Sequence, residues 1–187
     1  MSQRAFDLVG AAAGLIVFSP IMAVIAAAVW CEDRSPVLFR QPRVGYGRRV
    51  FTILKFRSMR DGRVTRIGLV LRATGLDELP QFINILRGEM SAVGPRPLTV
   101  DDVERLGWTT PAHDFRWRTP PGLTGLAQMA GTSSAPEALV LDRAYLARRG
   151  VILDCQLIAL SFAVNAFGKT RVRAWLGRIG FLPPPGT

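Results

Sequence analysis

Hydrophobic and polar positions are spread unevenly along this chain. Leu8 through Trp30 carries no charged side chain, with Arg4 and Asp7 before it and Glu32, Asp33 and Arg34 after it. A single helix over that stretch is about 35 Å long, against roughly 30 Å for a hydrocarbon core. The run is too long for the apolar part of a signal peptide, and Cys31-Glu32-Asp33-Arg34 is not a small-x-small cleavage site. Phe18-Ser19-Pro20-Ile21 interrupts it. Pro20 removes a donor and crowds the carbonyl four residues back, and Ser19 can bond a nearby carbonyl to ease the loss. Two elements fit: a kinked spanning helix, or a helix-break-helix that enters and leaves one leaflet.

Downstream the period changes. Val37-Leu38-Phe39 and Val50-Phe51-Thr52-Ile53-Leu54 flank Gly45-Tyr46-Gly47, which reads as a hairpin. Val50 stands where a dinucleotide loop needs its third glycine, so those glycines mark a turn. The spacing predicts helices over Asp77–Leu86 (closed by Arg87-Gly88), Thr99–Leu106, Asp142–Arg149 and Leu153–Phe167. Residues 91–97 read as a proline-braced loop, and 116–131, rich in Pro and Gly, as irregular. In the last helix Leu153, Leu157, Leu160 and Val164 share a face, and Lys169, Arg171, Arg173, Trp175 and Arg178 follow. An interfacial helix and a core helix with a solvated tail both fit that pattern.

Composition narrows the class. The 187 residues suffice for one core; 49% are hydrophobic, yet the net charge is +10 and the pI about 11.2. A greasy, basic chain suits an anionic membrane surface or a nucleic acid. The apolar excess near the N-terminus favours the membrane. Arg34, Arg40, Arg43, Arg48, Arg49, Lys55, Arg57 and Arg60 place the C-terminal side of the apolar segment in the cytoplasm. Cys31, Cys155 and His113 are too few and too scattered for a zinc site, and the cysteines read as reduced packing residues. A lone histidine also disfavours Ser-His or Cys-His chemistry.

Candidate chemistry gathers at Gly75-Leu76-Asp77-Glu78-Leu79-Pro80-Gln81. Pro80 belongs in a first helical turn, which puts Asp77 at or near an N-cap. A cap is one reading. The other is that adjacent carboxylates share a magnesium ion with phosphates, or that an ionised carboxylate attacks phosphorus. In Val93-Gly94-Pro95-Arg96-Pro97 two prolines brace Arg96, whose planar fork suits phosphate oxygens, although a structural turn also fits. Lys55 and Arg72 add cations. A nucleic-acid binder would leave the Asp-Glu pair and the braced arginine unexplained.

Phe18-Ser19-Pro20, Lys55-Phe56-Arg57-Ser58-Met59, Leu76-Asp77-Glu78-Leu79-Pro80-Gln81, Gly88-Glu89-Met90-Ser91-Ala92-Val93-Gly94-Pro95-Arg96-Pro97 and Pro121-Gly122-Leu123-Thr124-Gly125 occur in this order. Together they resemble the bacterial sugar transferases, the monotopic phosphoglycosyl transferases, over nearly the whole chain, in the minimal form with only the catalytic domain. The resemblance implies transfer of a sugar-1-phosphate from a UDP-sugar to polyprenyl (undecaprenyl) phosphate. Asp77 is then the nucleophile, a phosphosugar-aspartyl intermediate forms, and UMP leaves. Glu78 matches the neighbouring acid, with Asp77 and Glu78 associated with Mg2+. Arg96 matches the phosphate-holding arginine, and Arg72 and Lys55 match cations lining the site.

The fold expected is α+β, a single membrane-associated domain over 1–187. A re-entrant membrane helix over 1–31 breaks at Ser19-Pro20, and a catalytic region with a short β-hairpin and several amphipathic helices covers 32–187. The expected location is the bacterial inner membrane, cytoplasmic face, with the bilayer, a homo-oligomer or downstream glycosyltransferases as further partners. Against the family's Arg-Pro-Gly-Ile-Thr-Gly-Trp-Ala-Gln-Val-Asn-Gly-Arg, this chain has Pro120, Leu126, Ala130 and Thr132 at the Arg, Trp, Asn and final Arg places, and Glu89 for the usual Asp. Gly122, Thr124, Gly125, Ala127, Gln128 and Gly131 are kept. Arg118, two residues from the lost arginine, is a candidate substitute. The sugar stays unnamed, and a catalytically silent scaffold is the alternative reading.

Overall fold

The computed structural model describes residues 2–131 and 134–167. Helix α1 spans Gln3–Asp33; Ser2 caps it by accepting from the Ala5 amide, and Arg34 ends it in a left-handed conformation with its guanidinium 4.0 Å over the Trp30 ring. Residues 38–44 (β1) and 50–56 (β2) form the expected hairpin, with Leu38 opposite Phe56 and Val44 opposite Val50 across a 3-10 turn at Tyr46–Arg48. A two-residue pair, β3 (Met59–Arg60) and β4 (Arg63–Val64), leads into α2 (Arg66–Thr74). There follow a 3-10 turn over Leu76–Glu78, α3 (Gln81–Arg87), β5 (Ser91–Val93) and α4 (Val100–Arg105). A 3-10 segment at Pro111–Arg118 precedes β6 (Gly122–Thr124), α5 (Leu126–Ala130), α6 (Ala135–Arg148) and α7 (Val151–Phe167).

Helix α1 is long and apolar enough to cross a membrane, and it runs through Pro20 without the expected break. The missing Pro20 amide would have bonded the Ile16 carbonyl; Ser19 Oγ donates to that carbonyl at 2.9 Å instead. With the orphaned acceptor satisfied, the helix has no need to open there. Along its whole length one face lies on the rest of the protein and the other stays bare. Asp7, Ala11, Ile25 and Val29 are buried, whereas Val9, Ile16, Val17 and Val24 are each more than three-fifths exposed.

Both ends of α1 are tied down by polar contacts. Arg4 donates to the carbonyls of Ile85 (2.6 Å) and Leu86 (2.9 Å), which lie in the last turn of α3, where a cation is favoured. Asp7, 3% exposed, accepts from Ser91 Oγ at 2.8 Å and from the Ala92 amide at 2.9 Å. At the far end Glu32 accepts from the Arg66 and Ile67 amides, capping α2. Between them Phe18 stacks on Phe82, and Gly14 leaves the room that ring needs: a Cβ there would sit 2.9 Å from it.

Two further expectations change. The 116–131 segment is ordered, because β6 pairs in parallel with β5, Ser91 opposite Gly122 and Val93 opposite Thr124. Gly94, Gly122 and Gly125 meet backbone to backbone there; a Cβ on Gly122 would lie 2.0 Å from the Gly94 nitrogen, and one on Gly125 2.2 Å from its oxygen. Cys31 and Cys155 are free, as read, but exposed rather than packed. Helix α7 contributes Leu157 and Val164 to a core with Leu141, Tyr145, Leu126 and Ala130, so that face is a core face, while Ile152 and Phe162 are exposed. Lys169, Arg171, Arg173, Trp175 and Arg178 lie outside the described residues.

Candidate active site

The hairpin supplies the first part of the site. Opposed residues in an antiparallel pair share a face, and positions two apart return to it. The register Phe39–Lys55, Gln41–Ile53, Arg43–Phe51 therefore puts Arg43 and Lys55 on one face. Buried Asn84 fixes this sheet to α3: its Oδ1 accepts from the Leu54 amide, and its Nδ2 donates to the Thr52 carbonyl and to Glu89 Oε2. Glu89, with its longer side chain, thus serves the joint between strand and helix.

Asp77 and Glu78 sit in the 3-10 turn between α2 and α3, entered through Gly75 at φ 75°. The regular helix begins at Gln81 with Pro80 as its cap, so Asp77 is not the N-cap expected of it. Freed from capping, Asp77 is half-buried beside Glu78. Lys55 Nζ meets Glu78 Oε1 at 2.5 Å. Burial and, after it, the Glu78 charge push the Asp77 carboxyl above its ordinary value, while Lys55 and Arg72 draw it down. Lys55, Arg72, Asp77 and Glu78 are thereby brought into one electrostatic neighbourhood.

Arg96 is exposed on the turn after β5, between buried Pro95 and Pro97. Four successive carbonyls of this turn are held: Pro95 by the Gly122 amide (2.9 Å), Arg96 by Arg116 Nη2 (2.7 Å), Pro97 by Arg43 Nη1 (3.1 Å) and Leu98 by the Val44 amide (2.8 Å). Arg43 lies within electrostatic reach of both Arg96 and Glu78. Burial and then the like charge of Arg96 lower its pKa, while Asp102 and Glu78 oppose them. Sequence reasoning treated Arg43 only as a basic residue near the membrane; its shared face with Lys55 was the available signal. Arg116 and Asp142, buried and paired at 2.7 Å, had no local signal at all.

Ser19 and Pro20 lie on the exposed side of α1, as residues of that helix and not of this cluster. Leu126 and Ala130, at positions where the family carries Trp and Asn, are 7% and 1% exposed in the core. Thr132 falls outside the described residues, and Arg118 is exposed. Among the described residues no three His, Cys, Asp or Glu side chains gather to hold a metal. The adjacent carboxylates of Asp77 and Glu78, whose charges repel, still fit magnesium in its common mode of one or two carboxylates completed by phosphate oxygens and water.

A family model for bacterial sugar transferases matches residues 1–168. A UDP-glucose:undecaprenyl-phosphate glucose-1-phosphate transferase of Caulobacter vibrioides is 40% identical over 161 residues, 79% of this chain and 60% of that protein. An undecaprenyl-phosphate glucose phosphotransferase of Komagataeibacter xylinus is 37% identical, covering 90% of this chain and 36% of that one. The exopolysaccharide production protein ExoY of Rhizobium meliloti is 34% identical, covering 84% of this chain and 82% of its own length. The chain thus spans less than two thirds of the first two relatives. With the family match covering nearly all of it, the chain belongs to the bacterial sugar transferase family.

Proposed function

We propose that this chain moves a sugar-1-phosphate from a UDP-sugar to polyprenyl phosphate, an early membrane step of glycoconjugate or exopolysaccharide assembly. One observation carries the reading: a half-buried carboxylate, Asp77, stands among Glu78, Lys55 and Arg72, while Arg43 is within electrostatic reach of both Glu78 and Arg96. Phosphoryl transfer needs alignment and charge neutralisation more than acid-base groups. The names of the relatives point to the same chemistry.

In the first step an Asp77 oxygen bonds the β-phosphorus as the bond to the bridging oxygen breaks, and UMP leaves with that oxygen. In the second, an oxygen of the polyprenyl phosphate bonds the same phosphorus and the Asp77 carboxylate departs, so no external oxidant or base is consumed. Lys55 holds the Glu78 carboxylate in place. Arg96, Arg72 and Arg43 bear on the phosphate oxygens. Asp77 and Glu78 are the residues that would hold Mg2+, which when bound neutralises phosphate charge.

The region from residue 32 onward is the cytoplasmic-face catalytic region in this reading, on the bacterial inner membrane, with the unbroken α1 lying along it, tied to it near both ends and turning its bare apolar face to the bilayer. A copy of this chain and downstream glycosyltransferases are the proposed protein partners. A silent scaffold is not favoured, since the altered loop positions Leu126 and Ala130 serve the core. The test is incubation with undecaprenyl phosphate, magnesium and a panel of UDP-sugars that includes UDP-glucose. UMP release, with a phosphosugar adduct seen by intact-protein mass spectrometry when lipid is withheld, is expected; no UMP from any donor overturns the proposal.

A further inference from the structure

Resting on that reading of the site, we propose that Arg116, locked to Asp142, is a positioning residue that sets Arg96 for the phosphates of the substrate. Arg116 lies in the 3-10 segment before β6 and is 3% exposed. Its guanidinium makes two charge-assisted hydrogen bonds. Nε donates to Asp142 Oδ2 on α6 at 2.7 Å, and Nη2 donates to the carbonyl of Arg96 at 2.7 Å. The rings of Trp108 and Trp117 lie 4.9 Å and 5.3 Å from its carbon, so the fork has little freedom to swing.

The turn cannot supply this hold from within. Pro95 and Pro97 have no N–H, and Arg96 turns its own side chain outward. Donors must come from elsewhere, and Arg116 supplies the one that reaches the residue bearing the cation. Burial pushes the Asp142 carboxyl up and Arg116 pulls it back, so the charge on Asp142 depends on its partner.

Stability alone is a poor account of such a pair, because apolar residues of similar volume often replace a buried ion pair at no cost. What they cannot replace is the bond to the Arg96 carbonyl. A misplacement of about 1 Å at a transfer site costs roughly 10²-fold in rate, and that is the scale expected here.

The experiment uses the full chain in lipid nanodiscs and the double variant Arg116→Met/Asp142→Leu, which removes the charge pair while filling its space. Positioning predicts a thermal midpoint near wild type, a kcat/KM for UMP release about 10²-fold lower, and faster hydrogen exchange in the peptide covering residues 91–98. Adding Arg96→Ala to the double variant then causes little further loss, because Arg116 acts through Arg96. Losses that multiply, or exchange at 91–98 that does not change, overturn the proposal. If the double variant does not fold, Arg116→Lys, which keeps the charge but cannot reach both acceptors, is read by the same three measures. If the wild-type chain releases no UMP from any donor, the transferase reading is what fails, and the positioning role is decided by the exchange at 91–98 alone.

Discussion

Ser19 Oγ donates to the carbonyl of Ile16, the acceptor that Pro20 leaves without an amide in α1. One hydroxyl therefore lets a proline sit inside a long apolar helix while the Ile16 carbonyl keeps a partner. Arg4 and Glu32, near opposite ends of this unbroken helix, both contact the same domain.

The proposed topology keeps both ends of α1 on the side of the catalytic region. A cysteine placed at Ser2, in a background with Cys31 and Cys155 changed to serine, should stay unlabelled by an impermeant thiol reagent on intact cells. The same marker in Ser19→Ala/Pro20→Leu should stay unlabelled as well, since α1 is already continuous and Arg4 and Glu32 still hold it near both ends. Labelling of the otherwise native protein from outside would mean that α1 simply spans.

The pH dependence of the first step should report Asp77. Its carboxyl is raised by burial and by Glu78, and the attacking form is ionised, so UMP release in the absence of lipid should fall as pH drops through that raised pKa. Glu78→Gln removes a like charge and should move the acid limb to lower pH. Lys55→Met removes a cation and should move it to higher pH. A limb at one pH in all three proteins would assign the titration to another group.

Asp77→Asn should abolish both turnover and the adduct, yet raise the thermal midpoint at neutral pH. A carboxyl whose folded pKa lies above its unfolded one binds its proton more tightly when folded. The ionised form therefore costs stability at neutral pH, and that cost disappears as pH falls through the folded pKa towards the unfolded one. The midpoints of the two proteins should converge in acid, which scanning calorimetry in detergent can follow. An adduct persisting in Asp77→Asn would remove Asp77 as nucleophile.

Gly122→Ala should destabilise the protein by about 1–3 kcal/mol by overpacking, since its Cβ would meet the Gly94 nitrogen at 2.0 Å and the Thr124 oxygen at 2.3 Å. Gly47→Ala is the control: nothing lies within 4 Å of a Cβ there, and only the positive φ of 61° resists it. A denaturant midpoint for Gly122→Ala no lower than that of the control would mean the two turns do not pack as described.

Much of this was legible because it was local. The hairpin showed in its β-branched runs around glycine, the apolar helix in its want of charge, and the Asp-Glu pair in a short motif. The start of α3 was misplaced because Pro80 suits a first helical turn, and the 3-10 turn before it carries the same residues with a different hydrogen-bond pattern. The glycines of the 116–131 segment suggest irregular loops, whereas Gly122 and Gly125 serve close approach to Gly94, which is distant in sequence. Arg43 and Arg116 escaped for a related reason: each acts on a backbone carbonyl that sequence spacing does not bring near.

The ties of α1 also set a clock. Asp7 and Ser91 are 84 residues apart, and Gln3 and its partner Asp154 are 151 apart. At ribosomal speed the Asp7 carboxylate emerges on the order of ten seconds before the hydroxyl that receives it. During that interval it is an unpaired charge at the edge of an apolar helix, costly to draw into hydrocarbon. In the proposed membrane setting, that unsatisfied acid would hold this end of the newborn helix at the water surface until the strand bearing Ser91 is made.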